Sequence, residues 1–81
     1  MRNGSIQMFE DYLDILIYVA HADHEVGAKE LEEEVTEFSR GQLNVHLKRL
    51  AKADYLVSNN KKNSRAYTAT DKTKQLFGVK A

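Results

Sequence analysis

The stretch SRGQLNVHLKRLAKADYLV, Ser39 to Val57, gathers four basic residues and one acidic residue in a chain whose formal net charge is zero. Leu43, Leu47 and Leu50 recur at i, i+4 and i+7, which places them on one face of a helix. Ser39 precedes this run and is a suitable N-cap, because its hydroxyl accepts a hydrogen bond from an unpaired backbone N–H. The basic side chains project away from the leucines, either as a solvated surface or as a face that binds a ligand.

Charge is divided unequally between the two halves of the sequence. Residues 1–38 hold two basic residues against ten acidic ones, whereas residues 39–81 hold ten basic residues against two acidic ones. Such an asymmetry indicates a nucleic-acid contact in the basic half. The alternative is that the two halves pair with each other.

Length and composition limit the class of protein. The 81 residues are enough for one domain, residues 1–81, with a small core. The absence of cysteine excludes disulfides and thiolate metal sites. The longest strongly apolar run, residues 15–20, is far shorter than the roughly 20 residues that a membrane span needs. We therefore expect a cytoplasmic protein that makes no membrane contact.

Few residues suggest catalysis or metal binding. His21 and His24 have the i, i+3 spacing of a helical metal-binding pair, but no third ligand is spaced to join them. No nucleophile–base pair or glycine-rich phosphate loop is visible. We predict that the protein is not an enzyme and holds no metal and no cofactor.

Residues 6–22 have the pattern of a helix with two apolar faces. One face is expected to close the core of the monomer and comprises Phe9, Leu13, Leu16, Ile17 and Ala20. The second face is expected to be covered by another subunit and comprises Met8, Tyr12, Ile15 and Val19. The pattern therefore predicts a homodimer that forms through the N-terminal helix.

The remaining pattern alternates between helix and strand. Residues 23–27 form a break, residues 28–35 a short helix, and a turn with Phe38 leads into the Ser39–Lys52 helix, which is a helix-turn-helix order. Residues 55–58 and 65–70 alternate as strands of a β-hairpin with a basic tip. Thr70 then caps a last helix with Leu76 and Phe77 turned inward. The fold is predicted to be mainly α with a small β-hairpin (α+β).

The sequence patterns of these segments resemble those of winged helix regulators. HLKRLAKADYLV resembles the end of the recognition helix in ArsR-type repressors, and SRAYTATDKTKQLF resembles the wing strand and following helix of MarR- and PadR-type regulators. The likeness covers about residues 27–77. Asp54 stands where the family usually has a left-handed glycine, and Thr73 replaces another glycine. The resemblance implies a winged helix-turn-helix with a three-helix core, a wing and a C-terminal helix.

The resemblance implies a sequence-specific transcriptional regulator that binds double-stranded DNA, with no pocket for a small-molecule effector. Helix 39–52 would enter the major groove, and the wing, about residues 58–66, would lie on the adjacent minor groove or its phosphates. His46 lies at the margin of the leucine face, so DNA contact and packing are equally open. The candidate DNA-binding residues are Ser39, Arg40, Gln42, Asn44, Val45, His46, Lys48, Arg49, Lys52, Lys61, Lys62 and Arg65. The alternatives are a winged helix module for protein–protein interaction and a plasmid or viral replication or partition protein.

Overall fold

A computed structural model describes residues 4–62 and 64–79, with side chains from Ile6 onward. The described residues form four helices and a three-stranded antiparallel sheet, so the predicted α+β class is confirmed. In chain order the elements are α1 (Gly4–His21), β1 (Val26–Gly27), α2 (Ala28–Glu34), α3 (Arg40–Lys52), β2 (Leu56–Ser58), β3 (Ala66–Ala69) and α4 (Asp71–Leu76).

The buried face of α1 matches the predicted core face only in part: Leu16 and Ala20 are buried as predicted, but Phe9 and Ile17 are not. Ile15 is fully buried and Val19 nearly so, whereas Phe9 is 61% exposed and Ile17 is also exposed. The prediction that Met8, Tyr12, Ile15 and Val19 form a face outside the monomer core is therefore wrong. Tyr12 is half-buried against the core, and of these four only Met8 is exposed. Apolar residues cover so wide an arc of α1 that periodicity alone does not identify the buried part.

Helices α2 and α3 follow the predicted order. Gly27 is the N-cap of α2, and Glu30 lies in its first turn, where the helix dipole favours an acid. Helix α2 buries Leu31, and α3 buries its leucine face. Both helices therefore pack against the same core. The turn between them is closed by hydrogen bonds from the N–H groups of Val35 and Thr36 to the Leu31 carbonyl, at 2.9 and 3.0 Å.

The sheet contains one strand more than the predicted hairpin. Its order is β1-β3-β2, and β1 pairs with β3 through Val26 opposite Tyr67 and Gly27 opposite Ala66. Residues 23–27, predicted as a break, therefore end in a short strand. Strands β2 and β3 pair as predicted, and Tyr67 and Ala69 face the core while Thr68 is exposed.

Capping residues fix where the last elements begin and end. Asp54, two residues after the last residue of α3, has a φ of 71°. The N–H groups of Asp54 and Tyr55 donate to the carbonyls of Ala51 and Leu50. This is a Schellman motif, in which aspartate takes the left-handed position. Thr70 caps α4 by accepting the Thr73 N–H at 3.3 Å. Phe77 packs on the core, but Leu76 is exposed, contrary to the prediction.

Candidate nucleic-acid interface

The outward face of α3 is polar and basic along its whole length. Because Leu43, Leu47 and Leu50 are buried, the side chains on the opposite side face solvent. Val45 is 48% exposed among them, an apolar side chain on an otherwise polar surface. The exposed candidates on this face are Arg40, Asn44, Val45, Lys48, Arg49 and Lys52.

Ser39 and Gln42 form a capping box at the start of α3. The Gln42 N–H donates to Ser39 Oγ at 3.3 Å, and Gln42 Oε1 accepts the Ser39 N–H at 3.2 Å. The side chain of Gln42, a candidate DNA-binding residue, is thereby held against the helix start. The S-x-x-Q spacing is itself the sequence signal for this arrangement.

His46 is a packing residue of the α1–α3 contact. Its side chain is 8% exposed, and Nδ1 lies 2.7 Å from Tyr12 Oη, within hydrogen-bonding distance. The Phe38 ring packs on the imidazole with 4.6 Å between centroids. Burial, followed by the Arg49 charge, lowers the pKa of His46, so the neutral ring is favoured. Of the two alternatives left open for His46, the structure therefore shows packing, because the ring contacts Tyr12 of α1 and Phe38.

The loop between β2 and β3 presents its basic residues to solvent. Lys61, Lys62 and Arg65 are exposed, while Asn63 lies outside the described residues. Asn59 shapes the loop: its Nδ2 donates to Glu25 and to the Ser64 carbonyl, each at 3.0 Å, and its Oδ1 accepts the Lys61 N–H. The loop is thus anchored at its base, and its cations point outward.

A concave surface joins this loop to the start of α3. It encloses about 570 Å³ and lies where the β3 end of the loop, the start of α2 and the start of α3 meet. Its lining includes four basic side chains and two neutral polar ones, and contains no acid. The lining residues are Gly27, Ala28, Lys29, Arg40, Asn44, Lys62, Ser64, Arg65 and Ala66. Residues of the predicted recognition helix and of the predicted wing therefore line the same concave surface, which we call the basic concavity.

Two features of this surface were missed from the sequence. Lys29 belongs to the acidic half, yet its side chain lines the basic concavity. Arg40 Nη2 donates to Glu32 Oε1 of α2 at 2.9 Å, and both side chains are partly exposed. A pair of this kind contributes little stability but fixes where the guanidinium points. Both features depend on how α2 lies against α3, which residue spacing does not give.

Of the two histidines near the end of α1, His24 contacts another helix, whereas His21 contacts a carbonyl of its own helix. His24 lies 2.9 Å from Asp23 and 2.9 Å from Glu30 of α2, and Tyr18 of α1 donates a hydrogen bond to the same Glu30. The bond to Glu30 raises the pKa of Tyr18 to about 12. His21 lies beside the Ile17 carbonyl at 3.0 Å. Among residues 4–62 and 64–79, no group of three or more His, Cys, Asp or Glu side chains is arranged to hold a metal ion.

Comparisons with known proteins add no relative. No protein-family model, curated protein or solved structure matches the chain. Within the described residues, no helix combines the length and apolar character required to cross a bilayer.

Proposed function

We propose that the chain is a winged helix domain that binds double-stranded DNA and acts as a sequence-specific transcriptional regulator. In this proposal α3 is the recognition helix in the major groove, and the β2–β3 loop is the wing on the adjacent minor groove or its phosphates. The observation that carries the proposal is the basic concavity. It brings Arg40 and Asn44 of α3 beside Lys62 and Arg65 of the loop, although these pairs lie far apart in the sequence.

The side chains suit two different tasks. Asn44 can bond adenine through two hydrogen bonds, and Val45 can contact a thymine methyl, so these residues would read bases. Lys48, Arg49 and Lys52 lie further along the exposed face of α3 and suit phosphates, which position a protein without specifying sequence. Arg40 would contact DNA from the orientation that Glu32 gives it.

The acidic half supports the same arrangement. Glu33 and Glu34 are exposed on α2, and Glu10 and Asp14 are exposed on α1. These acids repel phosphates and leave the α3 face and the loop as the surfaces that accept a duplex.

Selection of bound sequences from random duplex DNA tests the proposal. We expect the native protein to enrich a defined motif, and Asn44→Ala to lose about 1–3 kcal/mol on that motif and relax the preference at one position. Lys62→Ala serves as the matched control and should weaken all sequences about equally. Enrichment of no motif by the native protein would contradict sequence-specific regulation.

A protein–protein interaction module is the second candidate function. It is favoured by the exposed Phe9 and Ile17 on α1, beside the exposed acids Glu10 and Asp14. In that function the acidic half would be the docking surface and α3 a solvated face. Binding that depends on α1 and is insensitive to Asn44→Ala and Lys62→Ala would favour it over the first proposal.

A further inference from the structure

Lys29 stands apart in its surroundings. It is the sole basic residue between positions 4 and 38, and it lies in the first turn of α2 with Glu32 and Glu33 three and four positions later. That spacing suits helical ion pairs, yet Lys29 makes no ion pair within 4.0 Å in the described part of the chain. Glu32 pairs with Arg40 instead. Lys29 is exposed, and its side chain lines the basic concavity.

The basic concavity collects like charges. Lys29, Lys62 and Arg65 come from two separate elements and face one space, and none of the three has an ion-pair partner among the described residues. Like charges repel, and an anion placed between them relieves that repulsion. Asn44 and Ser64 at the same surface add neutral hydrogen-bond donors.

We infer that Lys29, Lys62 and Arg65 form a clamp for one phosphodiester strand of the DNA, with Lys29 as a DNA contact supplied by the acidic half of the chain. The inference rests on the proposed function and adds a third element, α2, to α3 and the loop. Arg40 and Asn44 belong both to the basic concavity and to the exposed face of α3, so a strand in the clamp continues onto that face.

A polymer fits this surface better than a free anion. The cations of the clamp are all exposed, so they remain hydrated and bind a single phosphate weakly. A duplex adds the contacts of Val45 and Lys48 on the same helix and releases the counterions condensed on its backbone. The partner is therefore a nucleic-acid strand, and the contact with Lys29 carries no base information.

The test compares Lys29→Gln with Lys74→Gln on the preferred duplex at several salt concentrations. Lys74 is a matched control because it lines a different concavity, beside Asp23 and Glu25. Lys29→Gln should fold normally, since it removes an exposed cation from a helix start. We expect Lys29→Gln to weaken binding roughly three- to tenfold at low salt and to reduce the slope of log K against log salt by about 0.9, with base preference unchanged. Lys74→Gln should bind as the native protein does.

Neutral phosphates locate the contact. Each duplex in a series carries one methylphosphonate in place of a phosphate. At one position, this replacement should lower the affinity of the native protein but leave the already reduced affinity of Lys29→Gln unchanged. Native affinity in Lys29→Gln, while the native protein still binds DNA with salt dependence, would overturn the clamp alone. Displacement of the duplex by inorganic phosphate at matched ionic strength would also overturn it, since the site would then hold a free anion. Failure of the native protein to bind any duplex would overturn the proposed function and the clamp together.

Discussion

Gly41 is a helix position where glycine has no structural requirement. It lies in the first turn of α3, it is exposed, and a Cβ built on it meets nothing within 4 Å. Its φ is not in the left-handed region, unlike that of Gly78 at the end of α4, which is 71°. Glycine at such a site costs stability relative to alanine, and its benefit is that another backbone can approach closely.

Gly41→Ala should therefore change stability and DNA binding in opposite directions. We expect the free energy of unfolding to rise by about 0.5–1 kcal/mol in urea titrations, and affinity for the preferred duplex to fall because the methyl group meets DNA. Gly78→Ala is the contrasting control and should lower stability by about 1 kcal/mol, since alanine is strained at that φ. Unchanged affinity in a stabilised Gly41→Ala would mean that the first turn of α3 does not approach the duplex closely.

Single residues were predictable from the sequence when their partners lie nearby along the chain. The Ser39 N-cap follows from its position before the leucine run, whereas the left-handed Asp54 is expected from the resemblance, which places a glycine there. The sequence pattern places His46 and Arg40 among the DNA-binding candidates but does not reveal the residues that they contact. Their contacts, Tyr12 and Glu32, belong to other helices, so residue spacing could not reveal them.

Between elements, His46 joins α3 to α1 and His24 joins the loop after α1 to α2, and their protonation affects stability in opposite ways. Hydrogen bonds to Asp23 and then Glu30 raise the pKa of His24 above its ordinary 6.5, whereas burial lowers the pKa of His46 below it. The stabilisation from His24 is fully present below pH 6.5 and is lost as pH rises through its raised pKa. His46 acts in the other direction: between 6.5 and its lowered pKa the unfolded chain binds a proton that the folded chain excludes, so stability falls as pH falls.

Replacement of one histidine should expose the effect of the other. We expect the unfolding free energy of His24→Gln to fall more steeply than that of the native protein as pH decreases from about 8 to about 5, because His46 then acts alone. His46→Gln should show the converse slope, whatever its overall stability. Urea unfolding at a series of pH values measures both. A His24→Gln curve parallel to the native curve would contradict a stabilising contact between His24 and Glu30 of α2.

Elements were predictable where their pattern is long and one-sided. Helix α3 and strands β2 and β3 lie close to their predicted bounds, because each has one apolar face and clear turn residues. Strand β1 is two residues long and pairs with β3, distant in sequence, so no local pattern marks it. The buried face of α1 was predicted only in part for the opposite reason, because its apolar arc is wide enough for either face to be buried.

In the whole molecule, the buried residues of α1 belong to the core, and only its exposed residues are available to an interface. Ile15→Glu places a carboxylate at a fully buried position and should destabilise the domain by more than about 3 kcal/mol. Phe9→Glu, at an exposed position, should leave the fold intact. The homodimer stays a prediction, and if it forms through α1 it must use exposed side chains such as Phe9 and Ile17. We therefore expect sedimentation to give about twice 9.3 kDa for the native protein and a folded monomer for Phe9→Glu. A dimeric Phe9→Glu would place the interface elsewhere.

The zero net charge conceals a charge separation that the fold turns into two kinds of surface. Among the exposed charged residues of α1 and α2 acids outnumber bases, while the exposed face of α3 and the β2–β3 loop are basic and meet at the basic concavity. Of the three ion pairs among the described residues, only Arg40–Glu32 joins the two halves, so pairing between the halves neutralises little of their charge. The arrangement leaves these cations available to phosphates.

A salt titration tests that claim most directly. Fluorescence anisotropy of a labelled duplex, measured from low to moderate salt, gives log K against log salt, whose slope is about −0.9 for each phosphate contacted. With contacts from both α3 and the loop, we predict a straight line with a slope steeper than about −3. A slope near zero, or no binding at the lowest salt, would contradict DNA binding by this surface.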